Sequence, residues 1–218
     1  MHIIWKGQTC FNLLVSQNKG EQISITIDPY DTTTETKIAK SKSDIIISSQ
    51  RAKIDDLLTG SETTETVHVL NEPGEYDIKD IFIKGIYCAN KGEDKEIAGN
   101  TIFTIEAEGM HICHLGLAPS KELTSAQFEE IGDVDILLVP VGDHIAVDGN
   151  DAASLVNRIE PKIVIPMYYK TSGMGQKLDG VEKFLKAVGE TSPEIMEKLL
   201  IKSKDLPDEN TKVIVLKP

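Results

Sequence analysis

Asp55, His114, Asp143 and His144 are the side chains of this sequence best suited by type to proton transfer or metal binding. Asp143 and His144 are adjacent in the segment Val141-Gly142-Asp143-His144, where a carboxylate and an imidazole could activate water or share a divalent cation. Together with His114 and Asp148 they could form an unorthodox hydrolytic site, although an Asp-His pair on a loop is more simply solvated. His111 and His114 lie three apart in the apolar run Met110–His114. On a strand that odd spacing sends them to opposite faces, so they cannot share one metal. The plain expectation for His114 is a buried imidazole hydrogen-bonded to backbone. Cys113 precedes His114, but neighbouring strand residues face opposite sides, so a core thiol is expected rather than a nucleophile. Gly173-Met174-Gly175 lacks the further glycines and lysine of a phosphate loop.

The elements that must position these groups are legible from periodicity. His2–Trp5, Cys10–Val15 and Gln22–Asp28 read as strands, the last from the Ile23, Ile25, Ile27 alternation. A strand at Asp44–Ile47 leads to a predicted helix at Arg51–Leu58, stopped by Gly60. Strands follow at Glu65–Leu70, Gly74–Ile78, Ile81–Tyr87, Thr101–Glu106 and Met110–His114. The pattern then alternates: helix Thr124–Ile131 with Thr124 as N-cap, strand Asp135–Val139, helix Ala152–Ile159, strand Lys162–Pro166. Helix Asp179–Val188, capped by Asp179, and strand Lys212–Leu216 complete it. The charge mix of 190–204 is compatible with a helical insertion. Strands first and βα alternation later predict an α/β fold of sheets flanked by helices.

The 218 residues suit one domain spanning 1–218, long enough to bury a core without disulfides. With 35 acidic against 23 basic residues the net charge is −12, which argues against nucleic acid or anionic membrane as a partner. No apolar run approaches a membrane span. Three cysteines (Cys10, Cys88, Cys113) in no metal-like spacing, and no leader-like N-terminus, predict free thiols in the cytoplasm.

Several segments, in one order, resemble the metallo-β-lactamase superfamily, and within it the lactonase-like branch that includes L-ascorbate-6-phosphate lactonase-like proteins. They are Trp5-Lys6-Gly7-Gln8-Thr9-Cys10-Phe11, Ile27-Asp28-Pro29, Pro73-Gly74-Glu75-Tyr76, Gly99-Asn100-Thr101-Ile102-Phe103, Cys113-His114-Leu115-Gly116 and Ile165-Pro166-Met167. The resemblance covers roughly the whole chain. It implies a four-layer αββα sandwich with metals in loops at one sheet edge, where zinc or manganese generates hydroxide from bound water.

The family's H-x-H-x-D-H ligand motif falls on Gln50, Ala52, Ile54 and Asp55. A further ligand histidine falls near Asn90, the bridging aspartate on Leu117, and the last histidine on Tyr168. Asp55 alone could supply oxygen, and Arg51 and Lys53 add positive charge where a cation would sit. The expectation is therefore a degenerate member with no metal cofactor, kept for binding a small molecule or protein, with Tyr168 filling the space. The alternative is a hydrolase of esters, lactones or phosphodiesters using a relocated site around Asp143 and His144, with zinc or manganese. A homo-oligomeric structural subunit is a third reading.

Overall fold

In the computed structural model the described residues are 1–17, 20–29, 42–50, 62–88, 99–118, 121–143, 145–171 and 177–218. The predicted helix at Arg51–Leu58, and Ala52, Ile54, Asp55, Asn90 and His144, lie outside them.

Two sheets face each other. The first holds β1 (His2–Trp5), β2 (Phe11–Ser16), β3 (Gln22–Ile27), β4 (Lys42–Ile47), β5 (Glu62–Leu70) and β13 (Leu199–Leu200), in the order β13-β1-β2-β3-β4-β5. The second holds β6 (Gly74–Ile78), β7 (Ile81–Cys88), β8 (Asn100–Ala107), β9 (Met110–His114), β10 (Ile136–Pro140), β11 (Ile163–Met167), β12 (Glu194–Met196) and β14 (Lys212–Leu216). Its order is β12-β14-β11-β10-β9-β8-β7-β6. The turn residues of the β1–β2 and β6–β7 hairpins make these pairs antiparallel, whereas β9, β10, β11 and β14 run parallel. Parallel strands are buried on both faces, which is why β10 and β11 are apolar throughout. One continuous core, including Ile3, Leu13, Ile25, Phe103, Ile112 and Leu138, fills the space between the sheets.

Among the described residues the helices are α1 (Ser125–Ile131), α2 (Gly149–Ile159) and α3 (Val181–Ala187). α1 packs on β7 and α2 on β10 and α3. Thr124 caps α1 with a capping box to Gln127, as its sequence predicts. α2 starts three residues earlier than periodicity indicates, because the Asp148 carboxylate accepts from the backbone N–H groups of Asn150 and Asp151. α3 is shorter than expected and Asp179 does not cap it. The Asp179 backbone N–H is committed to the Gly142 carbonyl, and its carboxylate turns to Lys183 at 3.0 Å. The stretch 190–204, for which the charge mix left a helix open, forms β12 and β13 and runs into a 3-10 turn at Ser203–Asp205. Open strand edges decide it, with Lys217 N–H donating to Met196 and Ile201 N–H to Met1.

Candidate functional site

The C-terminal ends of β3, β4, β9, β10 and β11 and the start of β8 converge where the two sheets meet. Asp28, directly after β3, has a left-handed backbone (φ 47°) and is buried. Its carboxylate accepts from the Ser49 backbone N–H and from the Ser49 hydroxyl, each at 2.6 Å. That pair of bonds fixes the loop leaving β4. Ser49 in turn accepts the Thr101 N–H at 2.8 Å, and Gln50 forms a bridge with Asn100, so the first sheet is stitched to the second.

Asn100 is fully buried at the start of β8. Its side-chain oxygen accepts from Gln50 Nε2 at 3.1 Å and Leu117 N–H at 2.9 Å, and its Nδ2 donates to the Leu115 carbonyl at 2.9 Å. The loop after β9 can approach this closely only because residue 116 is glycine. A Cβ there would lie 2.2 Å from Asn100 Oδ1, and its φ of +60° is in the left-handed region.

His114 ends β9 with no solvent exposure. Its Nε2 lies 2.9 Å from the Thr9 carbonyl, which can only accept, so Nε2 carries the hydrogen. Its Nδ1 accepts from the Gly116 N–H at 3.1 Å. Both nitrogens are therefore occupied by backbone partners. Burial pushes the imidazole pKa down, against the Asp28 carboxylate 3.9 Å away. His111 faces the other side of β9, half exposed, as the strand spacing requires. Cys113 is buried and burial raises its thiol, so it is no nucleophile.

Tyr168, after β11, is buried in a left-handed conformation (φ 51°), with its N–H donating to Gln8 O at 3.0 Å. Burial pushes its phenol up to about 12. Gly142 lets the neighbouring loop pass against it, since a Cβ there would stand 2.1 Å from Tyr168 O. Asp143 is exposed, with φ 65°, and its carboxylate makes no hydrogen bond among the described residues. Asp148 is not available beside it. The Asp151 N–H and then the Lys183 ammonium hold its carboxyl below the ordinary range, against burial. Of the predicted site residues that are described, Gln50, His114, Leu117 and Tyr168 come together at this sheet end. Asp28 and Asn100, which organise it, were visible in the sequence only within segments marking the fold, and Ser49 carried no such signal.

A family model described as the beta-lactamase superfamily domain matches residues 2–168. This chain belongs to the metallo-β-lactamase superfamily. A crystal structure from Thermotoga maritima, described as a candidate Zn-dependent hydrolase of the superfamily, is 31% identical with a TM-score of 0.78, covering 99% of this chain and 97% of its own. A UPF0173 metal-dependent hydrolase from Staphylothermus marinus is 28% identical, covering 99% of this chain and 96% of the relative. A UPF0173 protein from Pyrococcus abyssi is 27% identical over 80% of this chain and 86% of its own.

These relatives overturn the expectation that no metal cofactor is involved. Superfamily members spanning nearly the whole chain are named for their metal dependence, and a divalent metal is the cofactor to which they point. The described residues at this sheet end do not by themselves fit zinc or manganese. Leu117 has no donor atom, Gln50 is tied to Asn100, the Tyr168 phenol stays protonated, and His114 has no free lone pair. No three His, Cys, Asp or Glu side chains cluster among the described residues, so a ligand set would have to include residues outside them. No described helix is long and apolar enough to cross a membrane.

Proposed function

We propose that this chain is a hydrolase of the metallo-β-lactamase class, acting on an ester, lactone or phosphodiester bond at the sheet end described above. The observation that carries the reading is the match to a candidate Zn-dependent hydrolase over 99% of the chain at 31% identity. On this reading Asp143, exposed beside the Tyr168 loop, is the described carboxylate free to accept a proton from water, with His144 its neighbour in sequence. The buried network of Asp28, Ser49, Asn100 and His114 holds the loops and takes no part in proton transfer. The test is turnover of p-nitrophenyl acetate, a γ-lactone and bis-p-nitrophenyl phosphate, with and without added Zn²⁺ or Mn²⁺. Metal-stimulated turnover that is lost in the Asp143→Ala/His144→Ala double variant is expected. Turnover unchanged in that variant would remove the relocated site.

A second reading, binding of a ligand without cleavage, is favoured by Leu117 and Tyr168 at positions where superfamily hydrolases hold metal. It would be preferred if none of the three probes is turned over with either metal present.

A further inference from the structure

Both sheets end on the same flank. β13 is the outer strand of one and β12 of the other, and Glu197 and Lys198 link them. A groove of about 480 Å³ runs between these edges, with Ile163, Met196, Leu199 and Leu200 on its walls. Leu200 is 62% exposed and Ile195, on the other side of β12, is 57% exposed. Strands this short offer few edge hydrogen bonds, so what this flank presents to a partner is mainly the apolar surface of the groove with Ile195 and Leu200.

Charge says what can dock there. Two copies of a molecule of net charge −12 repel each other over most orientations. The charged residues lining this groove are Glu194, Lys198, Asp205 and Lys212, two of each sign. The groove near Phe82 has Asp77, Asp80, Glu106 and Glu108 with no base. The groove beneath α2 has Glu160, Asp208 and Glu209 against Lys162. The groove beside α1 has Glu106, Glu130 and Asp133 against Lys84. Among these described grooves only the one at the β12–β13 flank has balanced lining charges, so it is where like molecules meet with the smallest local charge penalty.

We infer that the β12–β13 flank is a self-association surface, which a second copy of this chain covers through Ile195, Leu200 and the groove between the edges. The contact is apolar and its charges are balanced, so the long-range term opposing it is the repulsion of the two acidic bodies. Salt screens that repulsion and strengthens the pair, the opposite of an assembly held by ion pairs.

Sedimentation equilibrium of the full chain at low and high NaCl tests this. The expected result is a species of twice the 24.0 kDa monomer mass, whose fraction rises with salt. Leu200→Glu and Ile195→Glu, each at an exposed position, return it to monomer, while Phe82→Glu on the distant outer face leaves it paired. Circular dichroism confirms folding of each variant, and either flank variant that folds suffices. A monomer at every salt and concentration overturns the inference. So does a dimer that salt dissociates, one that survives the flank variants, or one that Phe82→Glu also breaks.

Discussion

The Leu117 backbone N–H donates to the Asn100 side-chain oxygen at 2.9 Å, joining residues seventeen apart across the sheet end. The same oxygen accepts from Gln50 Nε2, and Asn100 Nδ2 donates to the Leu115 carbonyl. One buried side chain thus ties the loop after β4 and the loop after β9 to the start of β8. Asn100→Ala leaves two buried backbone groups without their partner and should cost about 2–5 kcal/mol in urea unfolding. A loss below about 1 kcal/mol would mean that other contacts hold these loops.

Gly116 and Gly109 separate conformational strain from crowding. Both have positive φ, +60° and +67°, but a Cβ at 116 meets Asn100 and Ser49 whereas 109 opens on nothing within 4 Å. Gly109→Ala should destabilise by roughly 1 kcal/mol. Gly116→Ala should cost clearly more, on the order of 3 kcal/mol, because Asn100 must move as well. Equal losses in thermal unfolding would contradict the close approach seen at Gly116.

Ser49 carries the only hydroxyl donating to Asp28 Oδ2 among the described residues. Ser49→Ala leaves the Ser49 N–H bond in place but strips that buried oxygen of its 2.6 Å partner. A loss of about 1–3 kcal/mol in unfolding free energy is expected, and Ser49→Thr should restore part of it. No difference between Ala and Thr would show that the hydroxyl contributes nothing.

Acid should weaken the fold through His114. Its folded pKa lies below the ordinary value of about 6.5, with burial the leading cause. The unfolded chain therefore binds the proton first as pH falls, so this contribution is intact above about 6.5 and is lost below it, down to the folded pKa. Chemical unfolding of the wild type between roughly pH 7 and 5 should show falling stability, and His114→Gln should flatten that slope. An equal slope in both proteins would assign the pH dependence to other groups.

Much of the architecture was legible because its signals are local. Alternation marks β3, and the continuous apolar runs mark β10 and β11. Thr124 and Gln127 spell out a capping box within four residues. Where prediction slipped, a distant partner was responsible. Asp179 looks like a cap until its backbone is held by Gly142 and its carboxylate turns to Lys183, and the charged stretch 190–204 leaves a helix open until β14 and β1 present open edges. The candidate site was half legible. Leu117 and Tyr168 were recognisable as departures from the family pattern, whereas the roles of Asp28, Ser49 and Asn100 depend on contacts across 15 to 50 residues.

By itself the sequence determined the strands other than β12 and β13, the order of the family segments and the side chains at each ligand position, because these follow from residue type and short-range spacing. A buried His114 bonded to backbone was the expectation from its strand, and the structure bears it out. Only the tertiary structure decided which backbone groups hold it. It packs here because Thr9, 105 residues away, and Gly116 occupy both of its nitrogens in a space that excludes water.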